Sequence, residues 1–264
     1  GSEMCIRDSP RYNPDVPGSV VFKRPNAKHQ ELFGRNQPVV DVVLDPDLAR
    51  ILRPHQIEGV KFMYEAVTGI SSLEQGHTTP GQGAILADEM GLGKTLQTIA
   101  LIATLLRQNC YFSNIRPGTV EKVLIVCPLT LVVNWKREFR KWIGRSSIGV
   151  LAVEGDGRKE VERFVSHRQY QVLILGYERL RNCVQELSRA MPGVGLVVCD
   201  EGHRLKSKDT KTTKCFDLLP TRRRILLTGT PIQNDLREFY TMVDFVYPGP
   251  VSYTHLTLPT SGVG

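Results

Sequence analysis

The segment Asp88-Glu89-Met90-Gly91-Leu92-Gly93-Lys94-Thr95 puts two glycines directly before a lysine and a hydroxyl. Gly91 and Gly93 can bring backbone amides up to phosphate oxygens with no side chain in the way. Lys94 supplies a point charge suited to β- and γ-phosphates, and Thr95 a hydroxyl suited to Mg²⁺. A helix opening here would add the positive end of its dipole. The general phosphate-loop pattern G-x-x-x-x-G-K-[ST] has glycine where this chain has Asp88, so the turn alone also reads as a structural Gly-rich corner.

A second group lies more than a hundred positions on. Asp200-Glu201-Gly202-His203 follows the apolar run Leu196-Val197-Val198-Cys199, which places two carboxylates at the end of a buried strand. In phosphoryl transfer Asp200 would hold Mg²⁺, and Glu201 would orient or deprotonate the attacking water. Read without its neighbours, Asp200 is a helix cap and Glu201 a solvated acid. A third turn, Leu227-Thr228-Gly229-Thr230-Pro231, offers hydroxyl and amide groups after another apolar run. It reads either as a γ-phosphate sensor or as an ordinary strand-to-helix loop with Asn234 or Asp235 as cap.

These groups need a scaffold that brings them together. Short apolar runs predict strands at Ala84–Leu86, Lys122–Cys127, Ile148–Val153, Gln171–Leu175, Leu196–Cys199 and Arg224–Leu227. Amphipathic segments alternate with them at Thr95–Arg107, Leu131–Trp142, Lys159–Arg168, Glu178–Ala190, Thr210–Leu218 and Asp235–Phe245. Such alternation predicts an α/β fold, a mostly parallel sheet with helices on both faces. Right-handed crossovers then set the loops after each strand along one edge, where ligands bind. A first helix is expected from Gln56 to Thr68, with Ile57, Val60, Tyr64 and Val67 on its apolar stripe and Gly69 as left-handed cap. Pro10 to Gln37, rich in Pro and Gly with no period, reads as an extended arm or linker.

The chain has 264 residues, six cysteines and a formal net charge of +7. At this length a core needs no disulfide staples. The cysteines show no C-x-x-C pair and read as buried thiols in a reducing compartment. The longest apolar runs, such as Val123 to Cys127, fall far short of the roughly 20 residues that span a bilayer. No charged-then-apolar signal opens the chain, so a soluble intracellular protein with no membrane partner is expected. The basic surplus fits a polyanionic partner and an ordinary solvated surface about equally.

Met4-Cys5-Ile6-Arg7-Asp8-Ser9 can be encoded by a string whose reverse complement encodes Val251-Ser252-Tyr253-Thr254-His255. That string resembles a transposase-type sequencing adapter. Residues 1–9 and 251–264 are therefore expected to be non-native tails, flanking an arm and lead-in over 10–50 and a nucleotide-binding lobe over 51–250.

Together with Leu52-Arg53-Pro54-His55-Gln56, the three turns in this order resemble the first motor lobe of the SWI/SNF-type ATPases of helicase superfamily 2, a three-layer RecA-like lobe. The segments Leu52–Gly69, Asp88–Leu101, Asp200–Lys206 and Leu227–Asp235 are most similar to the homologous-recombination branch of double-stranded-DNA translocases, nearest its B-type paralogue. In that family Asp at the first phosphate-loop position is normal. The resemblance implies that Gln56 reads the adenine edge of ATP, that Asp88, Gly91, Leu92, Gly93, Lys94 and Thr95 cradle the triphosphate, and that Thr95 and Asp200 hold Mg²⁺. Glu201 would serve the attacking water. His203, Thr228, Gly229 and Thr230 would couple nucleotide state to DNA grip.

It also implies that Pro128, Leu129 and Thr130 touch the backbone of the tracking strand. The family has a hydroxyl residue where this chain has Gly176, so a contact there would be from backbone alone. Among the basic clusters, the one containing Arg204 and Lys206 adjoins the acidic turn and is the best DNA candidate, with a solvated face as the alternative. Trp135, Phe139 and Trp142 recur at helical spacing and read as core. The implied parent is a nuclear, DNA-stimulated ATPase that translocates on duplex DNA and remodels recombinase filaments or chromatin. It would need a second motor lobe. A remodeller of another SWI/SNF-type branch and a non-catalytic scaffold stay open as alternatives.

Overall fold

The computed structural model describes residues 12–71, 83–115, 117–144, 148–202, 205, 211–229 and 236–248. Six strands form one sheet in the order β1-β6-β5-β2-β4-β3. They are β1 (Gly83–Leu86), β2 (Lys122–Cys127), β3 (Gly149–Ala152), β4 (Tyr170–Gly176), β5 (Val194–Cys199) and β6 (Arg224–Leu227). Every pairing is parallel. All six strands therefore end on the same edge, and the expected α/β class and strand set are observed.

Side chains alternate across the sheet as the pleat requires. Val123, Ile125 and Cys127 of β2 enter the core on one face, and Leu124 and Val126 the core on the other. The first face is covered by α3 (Pro54–Thr68), α4 (Lys94–Arg107) and α5 (Val132–Ile143). The second is covered by α6 (Arg158–Ser166), α7 (Tyr177–Leu187), α8 (Lys211–Asp217) and α9 (Leu236–Val246). This is the three-layer arrangement expected of a RecA-like lobe.

Helix α3 ends where the sequence predicts, with Gly69 at φ 84° as its left-handed cap. Helix α4 departs from the amphipathic reading. Every residue from Leu96 to Leu106 is buried. It is flanked by α3 and α5, and Val43 and Asp45 of the lead-in dock at its C-terminal end.

The arm contains α1 (Ala27–Phe33), capped by the Asn26 side chain, and α2 (Pro46–Ile51), capped by Asp45 with Pro46 in its first turn. The Phe22 ring packs on Tyr64 of α3 with centroids 4.4 Å apart. The Gln108 side chain accepts from Val43 N–H at 3.0 Å and donates to the Val43 carbonyl at 2.7 Å. His29 is buried between the Tyr111 hydroxyl (2.6 Å) and the Thr68 carbonyl (3.0 Å). The extended reading of 10–37 is therefore corrected at Ala27–Phe33, and the segment is docked on the lobe rather than free of it. A helix of two turns is too short for periodicity to register, and its hydrogen bonds to distant residues are invisible in sequence.

Cys110, Cys127, Cys183 and Cys199 are buried and Cys215 half-buried, all as thiols. Cys5 lies outside the described residues. Among the described residues no helix is long and apolar enough to cross a membrane.

Candidate functional site

The glycine-rich turn leaves β1 and opens α4, the strand-turn-helix setting that phosphate binding needs. Gly91 and Gly93 both adopt left-handed backbone, at φ 86° and 84°. At Gly91 the space a side chain would take is open, whereas at Gly93 a Cβ would collide with the Gln56 amide. Gln56 is buried. It donates to the Leu92 carbonyl at 2.9 Å, and its oxygen accepts from Arg53 N–H at 2.9 Å. Among the described residues these two bonds leave one amide hydrogen and one lone pair, the complement of an adenine edge.

Lys94 donates to the carbonyls of Asp88 (2.5 Å) and Glu89 (3.0 Å). These neutral partners keep the ammonium folded over its own turn. Asp88 accepts from Gln97 at 3.0 Å. Gln97 is wholly buried, and its own oxygen lies so close to Gly59 that a Cβ there would overlap it. The first phosphate-loop position is thus held by an amide from the helix it opens, a supporting residue that no motif or period singles out.

Asp200 and Glu201 leave the end of β5, next but one to β1. Strand β6 lies between them, so Thr228 and Gly229 sit between the phosphate turn and the carboxylates. A Cβ on Gly229 would stand 2.8 Å from Met90 Cγ and 3.6 Å from Lys94 Nζ. Thr228 is buried and its N–H donates to the Leu86 carbonyl at 3.1 Å. The three turns therefore share one edge.

Burial pushes the Asp200 carboxyl up from its ordinary range. A hydrogen bond from Trp135 opposes that shift, the nearby Glu201 adds to it, and Lys94 is close enough to pull it back. The indole N–H of Trp135 reaches Asp200 Oδ2 at 2.8 Å, and Glu201 N–H reaches Oδ1 at 2.9 Å. The Tyr177 hydroxyl donates to the Asp200 carbonyl at 2.7 Å. Glu201 is a non-glycine residue at φ 56°, a strained conformation that these bonds hold in place. Gly202 follows where any Cβ would overlap Leu226 of β6.

Trp135 and Phe139 are buried in the core, as their spacing predicts, whereas Trp142 is half-buried and packs against its edge. The contact of Trp135 with Asp200 has no signal in the sequence, because apolar periodicity locates a ring and says nothing of where its N–H points.

Pro128 is buried at the end of β2, while Leu129 and Thr130 are exposed on a single turn leading into α5. Gly176 ends β4 and precedes α7, with no side chain capping the helix. A Cβ on Gly176 would lie 3.8 Å from Leu129. Pro128, Leu129, Gly176, Tyr177 and Arg179 line a groove of about 350 Å³. His203, Arg204, Lys206 and Thr230 lie outside the described residues.

The donor set fits a magnesium triphosphate. Hydroxyl and carboxylate oxygens from Thr95 and Asp200 are hard ligands, and few protein ligands are what Mg²⁺ takes when phosphates complete its shell.

The sequence profile of the SNF2-related domain matches residues 55–256. The chain is 49% identical over 241 residues to the DNA repair and recombination protein RAD54B of Gallus gallus, covering 91% of this chain and 25% of the relative. The human protein of that name is 48% identical over the same shares. RDH54, a DNA repair and recombination protein of Saccharomyces cerevisiae, is 44% identical over 80% of this chain and 26% of its own length. Among solved structures, the SWI2/SNF2 ATPase core of Sulfolobus solfataricus in complex with dsDNA matches with a TM-score of 0.57 and 30% identity, over 75% of this chain and 36% of that one. The chain spans about a quarter of the length of these curated relatives.

Proposed function

The chain belongs to the SNF2-related domain family, and from that premise we propose that it is the first ATPase lobe of a double-stranded-DNA translocase acting in homologous recombination. The observation that carries this reading is the gathering of the β1, β6 and β5 turns on one edge, with Asp200 within electrostatic reach of Lys94.

Backbone amides of Gly91, Leu92 and Gly93 and the N-terminus of α4 take the phosphates of ATP. Lys94 exchanges its two carbonyl partners for phosphate oxygens. Asp88 shapes the turn through Gln97, and Gln56 meets the adenine with its remaining donor and acceptor. Thr95 and Asp200 hold Mg²⁺, which when bound neutralises charge on the β- and γ-phosphates. Glu201 orients the attacking water, its backbone fixed by Asp200. Thr228 and Gly229, with Thr230 and His203, respond to the γ-phosphate.

Duplex DNA is the proposed partner, with its phosphates against Pro128, Leu129, Thr130 and the backbone at Gly176, and with Arg204 and Lys206 adding charge. The archaeal relative bound to dsDNA supports that choice. Such contacts are salt-dependent and indifferent to sequence. The repair and recombination relatives support a nuclear location and action on a recombinase filament or on chromatin as part of this reading.

Efficient turnover needs a second lobe. Arginines brought to the transferring phosphate from outside the site are worth on the order of 10³–10⁵ in rate. Alone, this chain binds nucleotide weakly and hydrolyses it slowly.

The test is Mg²⁺-dependent binding of a fluorescent ATP analogue by this chain and its Lys94→Ala variant. Loss of binding in the variant is expected, and equal binding by both would overturn the reading. In the intact parent, Lys94→Ala should abolish DNA-stimulated ATPase, and biological output that survives this loss would favour a scaffold.

A further inference from the structure

Asp200 is gripped from both faces of the sheet. Trp135 belongs to the core on the α3–α5 side and donates to its carboxylate at 2.8 Å. Tyr177 belongs to the opposite core and donates to its carbonyl at 2.7 Å. Both donors are more than nine-tenths buried, and the half-buried setting of Asp200 shields these bonds in part from water.

The elements that carry the donors share a second feature. Trp135 lies one turn into α5, directly beyond the exposed turn Leu129–Leu131. Tyr177 is the first residue of α7, directly after Gly176. The groove of about 350 Å³ lies between those two turns, with Leu129 and Gly176 on its wall and Tyr177 in its lining. An occupant of the groove therefore meets the first residues of α7 and the turn that leads into α5. The buried faces of both helices are close-packed, so a displacement moves the helix rather than dissipating in the core.

The last link is Asp200 itself. One oxygen is held by Trp135 and the other accepts from Glu201 N–H at 2.9 Å. Rotating the carboxylate thus moves the backbone of Glu201, which already sits in the left-handed region. A displacement of about 1 Å at a reacting group can change a rate 10²-fold.

We propose that Trp135 and Tyr177 are positioning residues that transmit occupancy of the groove by duplex DNA to the Asp200–Glu201 pair. This rests on the reading above that the groove takes the DNA backbone and the pair serves Mg-ATP. Coupling between two sites is reciprocal and typically 5–150-fold.

The experiment measures the affinity of this chain for a non-hydrolysable ATP analogue with Mg²⁺, with and without a short DNA duplex, and the affinity for the duplex with and without the analogue. The wild-type chain should show the same ratio, about fivefold or more, in both directions. Trp135→Phe and Tyr177→Phe should each bring that ratio to below about twofold. Trp135 does not line the groove, so its variant should bind DNA without nucleotide as wild type does. A merely structural role for these residues would lower single affinities and leave the ratio intact. Tyr177→Phe removes one oxygen only and keeps the test decisive if Trp135→Phe unfolds. Wild-type ratios in the folded variants overturn the proposal. Nucleotide binding without coupling in wild type also overturns it, and leaves the nucleotide assignment standing. A wild-type chain with no Lys94-dependent nucleotide binding overturns both.

Discussion

The Gln56 carboxamide occupies the volume that a side chain on Gly93 would need, and it is tied there by Arg53 N–H and the Leu92 carbonyl, each at 2.9 Å. Gly93 is therefore constrained twice, by a φ of 84° and by contact, while Gly91 at φ 86° faces open space. Gly93→Ala should expel Gln56 and weaken nucleotide binding at least about tenfold, equivalent to roughly 1.4 kcal/mol. Gly91→Ala leaves Gln56 in place and adds backbone strain of order 1–2 kcal/mol, so its loss of binding should be the smaller of the two. Titration of both variants with a fluorescent ATP analogue checks the order. Equal losses would show that the Gln56 contact does not matter.

Gly202 sets the height of the acidic turn above β6, because a Cβ there would overlap the Leu226 side chain. Overpacking of this kind costs about 1–3 kcal/mol. Gly202→Ala should lose about that much stability in urea unfolding. Leu226→Ala alone leaves a cavity and is also destabilised, but the double variant should be more stable than the sum of the two losses predicts. Strict additivity would place the two residues out of contact.

The parts of the site that lie in consecutive residues are legible in the amino-acid sequence alone. Turns that end strands announce themselves by an apolar run followed by Gly, Lys, Asp or Thr, and parallel pairing then forces them to one edge. Bonds between residues far apart in the chain leave no such trace. Gln97 reads as one polar position on an apolar helix, yet it is wholly buried and holds Asp88. Trp135 reads as core and is core, but its N–H is spent on Asp200. The arm reads as extended because prolines and glycines hide the seven-residue helix α1 between them.

That arm should behave as part of the lobe. Phe22 is buried against Tyr64, on the helix that carries Gln56. Truncating a buried phenylalanine costs about 3–5 kcal/mol. Phe22→Ala should lower stability by roughly the low end of that range, and the chain should still unfold in one transition by both tryptophan fluorescence and far-ultraviolet circular dichroism. A change under about 0.5 kcal/mol, the range of surface substitutions, would return the arm to the status of a linker.

Lys122 begins β2 wholly buried, donating to the carbonyls of Phe164, His167 (3.0 Å) and Tyr170 (3.2 Å). Burial pulls its pKa from 10.5 down to about 8. Between those values the unfolded chain binds more protons than the folded one, so this group makes stability rise with pH across the window. Buried thiols act in the opposite sense. Burial lifts Cys110 to about 11 and Cys127 to about 12 from 9.0, so above pH 9 the unfolded chain loses protons that the folded chain keeps, and stability falls. Lys122→Met removes the rising contribution and leaves the falling one. Wild type and variant, unfolded in urea at intervals from pH 7.5 to 10.5, should therefore diverge, with the variant losing up to roughly 3 kcal/mol more across the range. Parallel curves would mean that Lys122 titrates in the folded chain as it does in the unfolded one.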